Sequence, residues 1–394
     1  MMPAELSSFR RHGDPRSVIV VGIVALAVAM GIGRFAFTPL LPLMLRDGTI
    51  DAATGAEWAA ANYAGYLVGA LTATRMGRHL LPVLRMALLG VVVATTAVAF
   101  LDAPVSGGVL RFVAGIFSAW VLVTASSWCL AELARLHAVR LGAWIYTGIG
   151  IGIGVAGMLA WLGGLQPARL LWLELGLLAA VGTAYVVGIT SSGGSPRFVN
   201  SPNAAAHGAG GHGDLVLCYG AFGFGYILPA TFLPALARQQ IDNALVFGLI
   251  WPLFGMAAVA SVAVVARLLG TAPRRRVWAL AQAAMAVGTG LPAVTQTIWA
   301  LAASAVLVGG TSMVATMAGL QLARERVPVD PTPLLARMTA AFATGQVAGP
   351  VVVRLLAVQS LAGRDAMTIT SAVAALLLAF TAIWLWREDA RAGG

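Results

Sequence analysis

The stretch AMGIGRFAFTPLLP at residues 29–42 returns in altered form as AFGFGYILPATFLP at residues 221–234. At the constant offset between them the identical pairs are Ala29/Ala221, Gly31/Gly223, Gly33/Gly225, Leu41/Leu233 and Pro42/Pro234. Chance readily matches Ala and Leu in apolar sequences, but matched Gly and Pro at one offset indicate an internal repeat. In membrane proteins built from two parallel repeats, small molecules bind between the repeats near the middle of the membrane.

The composition around these stretches excludes a soluble protein. Of the 394 residues, 59% are hydrophobic and only 10% are charged, whereas a soluble domain carries about 25% charged residues. All 25 basic residues are Arg, and most fall in short segments between apolar runs. That placement indicates membrane topology and not a nucleic-acid-binding patch.

Apolar runs of about 20 residues are long enough to cross a bilayer as helices. They predict twelve spans near 17–44, 55–75, 82–101, 107–128, 140–163, 169–190, 214–237, 243–268, 277–296, 298–321, 334–357 and 366–386. With both termini in the cytoplasm, 18 Arg lie at or near cytoplasmic span ends, against four at the outer ends, Arg46, Arg169, Arg238 and Arg364. This bias predicts a multi-pass protein of the bacterial inner membrane with both termini inside.

The chain is expected to divide into two six-helix bundles. The predicted segments are a cytoplasmic tail at 1–16, a bundle at 17–190, a flexible linker at 191–213, a second bundle at 214–386 and a tail at 387–394. The linker is rich in Gly, Ser, Ala and Pro and lacks apolar periodicity. The first apolar run lacks a convincing cleavage site and is interpreted as a retained signal anchor. Cys129 and Cys218 lie near cytoplasmic ends, where no disulfide is expected.

Several motifs carry a resemblance to a known family. Loop 2–3 reads TRMGRH at 74–79, similar to a family signature Asp-Arg-x-Gly-Arg-Arg but with Thr74 in place of Asp. Span 4 contains the Arg-x-x-x-Gly pattern at Arg111–Gly115, and span 5 is rich in Gly from 148 to 157. Together with GIGRFAFTPLLPLM at 31–44, NYAGYLVGAL at 62–71 and FGFGYILPATFLP at 222–234, these segments resemble the major facilitator superfamily and its YbfB/YjiJ-like subfamily.

This resemblance implies the major facilitator fold and a secondary active transporter that works by alternating access. It implies a gating role for Arg75, Gly77 and Arg78 in loop 2–3. The expected partners are a small-molecule substrate, membrane lipid and protons as a candidate coupling ion. The chain is expected to act as a monomer and to need no cofactor, metal or nucleic acid.

Ionisable residues inside spans are costly and are therefore functional candidates. Arg34 in span 1 is either a substrate anchor or a buried structural Arg. Arg111 and Glu174 are either a structural ion pair or groups for proton coupling. Because Arg34 has no acid on its own span, a small organic anion is the predicted substrate class. A proton-coupled exporter of hydrophobic drugs or sugars is the alternative.

Polar and aromatic residues complete the predicted substrate site. Each is either a ligand contact or an interhelical packing residue. They are Asn62, Tyr63, Tyr66, Trp120, Tyr146, Tyr226 and Gln346.

Other function classes find little support in the sequence. A chain without Lys cannot carry the phosphate-binding loop of an ATP-driven pump. All five His residues, 12, 79, 137, 207 and 212, lie in cytoplasmic segments, and no acid–base constellation for a membrane enzyme is present. The match of Gly152, Gly154 and Gly157 to a dinucleotide fingerprint lies inside a span and is attributed to helix packing. A non-transporting membrane sensor remains the alternative outside transport.

Overall fold

The computed structural model describes residues 14–73, 80–101, 104–191, 212–238, 249–295, 297–359 and 366–392. These residues contain no β-strand and form twelve helical elements: α1 (Pro15–Arg46), α2 (Ala52–Ala73), α3 (Leu80–Phe100), α4 (Pro104–Arg135), α5 (Val139–Leu162), α6 (Ala168–Ser191), α7 (Gly213–Arg238), α8 (Ile250–Leu268), α9 (Arg274–Val294), α10 (Ile298–Arg326), α11 (Thr332–Gln359) and α12 (Ala366–Ala392). The predicted all-helical fold is confirmed, with twelve helices in the described residues. The linker and the N-terminal tail, as predicted from the sequence, lie almost entirely outside the described residues.

Ten of the twelve helices found in the described residues are long and apolar enough to cross a membrane. The other two, α2 and α11, are less apolar, and they pack against each other. We call helices α1–α6 the N half and helices α7–α12 the C half. The two halves meet mainly along two pairs of helices, α2 with α11 and α5 with α8. Faces that meet across the halves need not match lipid, so α2 and α11 can carry more polar residues there, although α5 and α8 remain apolar at the same interface.

Helix α1 is not uniform along its length. It runs as an α-helix over Pro15–Leu26, as a π-helix over Ala27–Phe35 and again as an α-helix over Phe37–Arg46. Pro39, at the start of the last segment, has no N–H and so leaves a carbonyl one turn earlier without its main-chain donor. A π-helical stretch of nine residues is unusual and such segments are frequent at functional sites.

The glycines of α5 allow two close helix contacts at once. A β-carbon at Gly148 or Gly152 would collide with the main chain of α1, and one at Gly150 or Gly157 would collide with the main chain of α8. Residues four apart share a helix face. In the sequence GIGIGIG the glycines therefore fall on two faces of α5, one that packs against α1 and one that packs against α8. The structure therefore supports the interpretation that these glycines serve helix packing.

The two halves touch at several levels across the membrane. We call the face where α1 begins the terminal face and the face where it ends the opposite face. Toward the opposite face, Gly157 of α5 packs on Pro252 of α8. Toward the terminal face, the Thr332 hydroxyl of α11 lies 3.2 Å from the Ser127 hydroxyl of α4, in a buried hydrogen bond. With the contact between α1 and α11 described below, the conformation is closed at the centre as well.

Ion pairs among the described residues lie close to helix ends. They are Arg46–Asp47 at the opposite face and Arg135–Glu132, Arg274–Glu325, Arg275–Asp214 and Arg275–Glu388 at the terminal face. Water and headgroups can reach such ends, so these charges are inexpensive to hold. Arg34 and Arg111 take part in none of these pairs.

Candidate functional site

Arg34 lies at the centre of the molecule, on the π-helical segment of α1. Its side chain is buried, with 3% of its surface exposed. The guanidinium stacks on Tyr66 of α2, with 3.6 Å between its central carbon and the ring centroid, and a second ring, that of Tyr63, is 5.7 Å away. Stacking of this kind attracts a cation to the face of a ring but does not neutralise its charge.

The hydrogen bonding of Arg34 is incomplete. Its Nη2 atom donates to Oε1 of Gln346 on α11, a residue of the other half. In the part of the chain that the structure describes, its Nε and Nη1 atoms have no hydrogen-bond partner, and neither has Nε2 of Gln346. A guanidinium carries five N–H donors in a planar fork. The site therefore presents free, buried donors around a positive charge, which is the arrangement that binds a carboxylate or phosphate.

Arg111 of α4 supports the π-helical segment from behind. Its Nη1 atom donates to the carbonyl of Gly33 and its Nη2 atom to the carbonyl of Arg34, both over 2.9 Å. The side-chain amide of Asn62 on α2 in turn donates to the carbonyl of Arg111 over 2.9 Å. Arg111 thus supplies donors to main-chain carbonyls of α1 and fixes the position from which Arg34 points. Through these contacts Asn62 and Arg111 position the main chain that carries Arg34. The predicted roles of Asn62 in substrate binding and of Arg111 in proton coupling stay predictions.

An aromatic wall from the C half closes the site. Tyr226 of α7 is buried, and its ring lies 6.1 Å from those of Phe222 and Phe342. Its hydroxyl has no hydrogen-bond partner within the described residues. Of the predicted substrate contacts, Gln346, Tyr63 and Tyr66 lie next to Arg34, and Tyr226 belongs to this wall. Their roles in binding stay predictions.

Two of the predicted substrate contacts are directed elsewhere. The indole Nε1 of Trp120 donates to the hydroxyl of Thr72 on α2 over 2.8 Å. Tyr146 is fully buried where α5 changes from a 3-10 helix to an α-helix, toward the terminal face, and its hydroxyl has no partner. Neither residue has a hydrogen bond or a cation–ring contact with Arg34 within the described residues, and their roles in binding stay predictions.

Glu174 does not form the ion pair with Arg111 that the sequence left open. It is half-buried on α6, and it has no salt bridge within the described residues. Arg111 bonds to carbonyls instead, because the main chain of α1 is the nearer acceptor. The proton-coupling role of Glu174 stays a prediction. The predicted gating residues Arg75, Gly77 and Arg78 lie outside the described residues.

Two features of the site were missed by sequence reasoning. The first is the π-helical segment, for which the residues 27–35 carry no pattern that distinguishes it from an α-helix. The second is the rest of the aromatic wall. Tyr219 and Phe222 follow helical spacing with the predicted Tyr226 on α7, and they join Phe342 of α11. That stripe was visible in the sequence, but such stripes more often form ordinary cores.

Comparisons with known proteins agree with this architecture. Residues 26–385 match the family described as uncharacterised MFS-type transporter YbfB. The crystal structure of the human organic anion transporter MFSD10 (TETRAN) covers 97% of this chain and 100% of its own, with a TM-score of 0.69 and 16% sequence identity. Comparison with the curated proteins gave no match. The family match covers far more than half of the chain, so the chain belongs to the YbfB-type family of major facilitator transporters.

Proposed function

We propose that this transporter moves a small organic anion across the membrane by alternating access and that Arg34 holds the anionic group. The observation that carries this proposal is a buried guanidinium between the two halves that has two donor atoms free and no carboxylate partner within the described residues. A cation in the middle of a membrane protein costs at least about 2.5 kcal/mol. A substrate carboxylate or phosphate would offset that cost, and the fork of donors would orient it.

The surroundings favour a substrate that is anionic at one end and apolar at the other. Arg34 and the amide of Gln346 offer polar contacts on one side, whereas Tyr66, Tyr226 and Phe342 supply ring faces around them. Ligand sites with a few directed polar groups in an aromatic lining are typical of small-molecule pockets. MFSD10 is described as an organic anion transporter, but at 16% identity the similarity concerns the fold alone. The substrate class proposed here therefore depends on Arg34.

The proposal includes the orientation of the molecule. The strong excess of Arg near the terminal face supports a cytoplasmic location for that face and for both termini. Glu174, half-buried and without an ion pair in the described residues, is the candidate for proton coupling.

The test begins with a thermal-shift screen of the purified protein. Small carboxylates and phosphate esters are compared with neutral sugars and apolar drugs, because a ligand that binds only the folded state raises the melting temperature. Ligands that bind are then assayed for uptake into proteoliposomes. We expect the anions to bind, and we expect Arg34→Gln to weaken their binding by about tenfold to a hundredfold. Arg34→Lys keeps the charge but loses the fork and should still bind poorly.

Arg85→Gln is the matched control. Arg85 is a partly buried Arg of α3 whose side chain bonds to Thr190 on α6, within the N half. Its loss should leave anion binding within about threefold of wild type, since charges that far from the site act weakly. Wild-type transport by well-folded Arg34→Gln protein would overturn the proposal. Binding of neutral drugs or sugars alone would favour the exporter alternative.

A further inference from the structure

The hydrogen bond between Arg34 and Gln346 joins the two halves of the transporter. The donor is on α1 and the acceptor on α11, 312 residues apart in sequence. Both side chains are buried, Gln346 completely. In a transporter that works by alternating access, the halves must separate on one side at a time, so contacts between them at the centre change during the cycle.

The acceptor in this bond resembles part of a carboxylic acid. A glutamine amide has the shape of a glutamate carboxyl group, and its carbonyl oxygen accepts a hydrogen bond as a carboxylate oxygen does, but without the charge. The guanidinium of Arg34 already brings one charge to this bond, but a carboxylate would add the opposite charge and could accept two parallel hydrogen bonds. The amide oxygen of Gln346 thus occupies one place on the guanidinium that an anion would fill more favourably.

We propose that Gln346 is an internal stand-in for the substrate anion, which bonds to Arg34 to close the transporter and is displaced from it when the substrate binds. This inference rests on the proposed function. The free Nε2 atom of Gln346 would then donate to the bound anion, together with Nε and Nη1 of Arg34. Because a neutral amide satisfies only part of the guanidinium, closure through Gln346 is weaker than closure around an anion, and the substrate wins the competition.

Two substitutions at this position should act in opposite directions. Gln346→Met keeps the volume but removes the acceptor, so closing would bury Arg34 without its partner, and the ligand-free closed population should fall by about tenfold. Gln346→Glu supplies a permanent anion to Arg34. It should increase the closed population and reduce the binding of added anions by about tenfold or more.

Distances between spin labels measure the closed population. Val139 and Val329 are exposed at the terminal face, and Leu165 and Trp299 at the opposite face, with one member of each pair in each half. Cys129 and Cys218 are buried and should not take up the label. The measurement uses full-length protein in nanodiscs, first without ligand. Gln282→Met is the control, since the hydrogen bonds that buried Gln282 makes to other described residues, Cys218 and Thr381, stay within the C half.

Chemical rescue tests whether an anion takes the place of the amide. Gln346→Ala removes a fragment close in size to acetamide, so added acetate should restore the closed population of this variant, and acetamide should restore it less. Rescue by acetate supports the exchange of amide for anion. Failure of acetate to restore closure, or equal rescue by acetamide, would overturn it.

The outcomes separate this inference from the proposed function. The inference is wrong if Gln346→Met leaves the ligand-free distances unchanged, if it acts no differently from Gln282→Met, or if Met and Glu shift them in the same direction. The effect of Gln346→Met should depend on Arg34, because in an Arg34→Gln background no guanidinium is buried without its partner when the protein closes, so Gln346→Met should shift the ligand-free distances by less there than in the wild-type background. If these shifts occur but no anion binds the wild-type protein, the proposed function fails while Gln346 still holds the closed conformation.

Discussion

Helices α1 and α7 occupy the same place in the two halves but are built differently. Gly31 of α1 packs on the main chain of α5, and Gly223 of α7 packs on the main chain of α11, and these partners are the fifth helices of their halves. Yet α1 contains a π-helical segment that presents Arg34, whereas α7 is α-helical throughout and presents Tyr226 at the matching position. The shared glycines preserve the packing, while the residue that each helix presents to the centre has diverged.

This difference shows how a repeat produces an asymmetric site. The N half supplies the charge and the C half supplies the neutral acceptor and most of the aromatic wall. A second Arg on α7 would have placed two like charges together at the centre, which costs more than either alone. Binding one anion needs one guanidinium, and the opposite half then needs groups that can close over it.

The largest expected effect concerns the contacts that the two helices share. Gly31→Ala and Gly223→Ala each place a β-carbon against main-chain atoms that cannot move aside, so each should destabilise the protein by about 3 kcal/mol. Melting temperatures of the purified variants measure this effect. Gly154→Ala is the control, because its β-carbon would have the main chain of Gly255 at 3.9 Å, an ordinary contact. A loss confined to one of the two variants would break the equivalence of α1 and α7.

The next effect concerns the hydrogen bonds that the guanidinium of Arg111 donates to the main chain of α1. Arg111→Leu leaves the carbonyls of Gly33 and Arg34 without their donors, so anion binding should fall by about tenfold or more although Arg34 is intact. On α7, the corresponding support is the Thr289 hydroxyl, 3.3 Å from the carbonyl of Gly225. Thr289→Val should cost about 1 kcal/mol of stability and leave anion affinity unchanged. Equal losses of affinity in the two variants would contradict the special role of the π-helical segment.

A smaller effect is expected from Tyr226, the residue of α7 at the repeat position that matches Arg34. Tyr226→Phe removes a buried hydroxyl that has no partner in the protein, so stability should change by less than about 1 kcal/mol. If the hydroxyl donates to the bound anion, affinity should fall by about fivefold, well below the loss in Arg34→Gln. Isothermal titration of both variants with the same anion decides the ranking. A loss in Tyr226→Phe as large as that in Arg34→Gln would place the anion on the C half instead.

The smallest effect concerns the far end of α1. Burial raises the pKa of Asp47, but the N–H of Ala168 and the guanidinium of Arg46 outweigh it and hold the pKa below its ordinary value. A depressed carboxyl pKa contributes stability above the unfolded pKa, and that stability is lost as the pH falls through the folded value. Asp47→Asn should therefore cost about 0.5 kcal/mol at neutral pH, since the pair is largely exposed.

The pH dependence of the melting temperature checks this prediction. The wild-type protein and Asp47→Asn should differ near neutral pH and converge when the pH falls below the range in which Asp47 titrates. A difference that persists unchanged into that acidic range would mean that Asp47 acts through packing and not through its charge.

Much of the fold was predictable because lipid imposes few choices. Runs of about 20 apolar residues must be helices in a bilayer, and matched Gly and Pro at one offset indicated the repeat. The observed α4 extends to Arg135, seven residues beyond its predicted end, because helices can continue past the apolar region. Of the residues that the sequence predicted for the site, Tyr63, Tyr66 and Gln346 lie against Arg34 in the structure. Their polar or aromatic character within apolar spans made them candidates, and their roles in binding stay predictions.

The sequence by itself determined that this is a twelve-helix transporter with an uncompensated Arg in its first helix, because composition, span length and motif spacing are local properties of the chain. Only the tertiary structure decided that Arg34 meets Gln346, that Arg111 bonds to carbonyls and not to Glu174, and that α1 is π-helical at this point. These depend on which side chains from distant helices come within hydrogen-bonding distance. A helical pattern fixes the face on which a residue lies, but the partner across that face is set by how the helices pack.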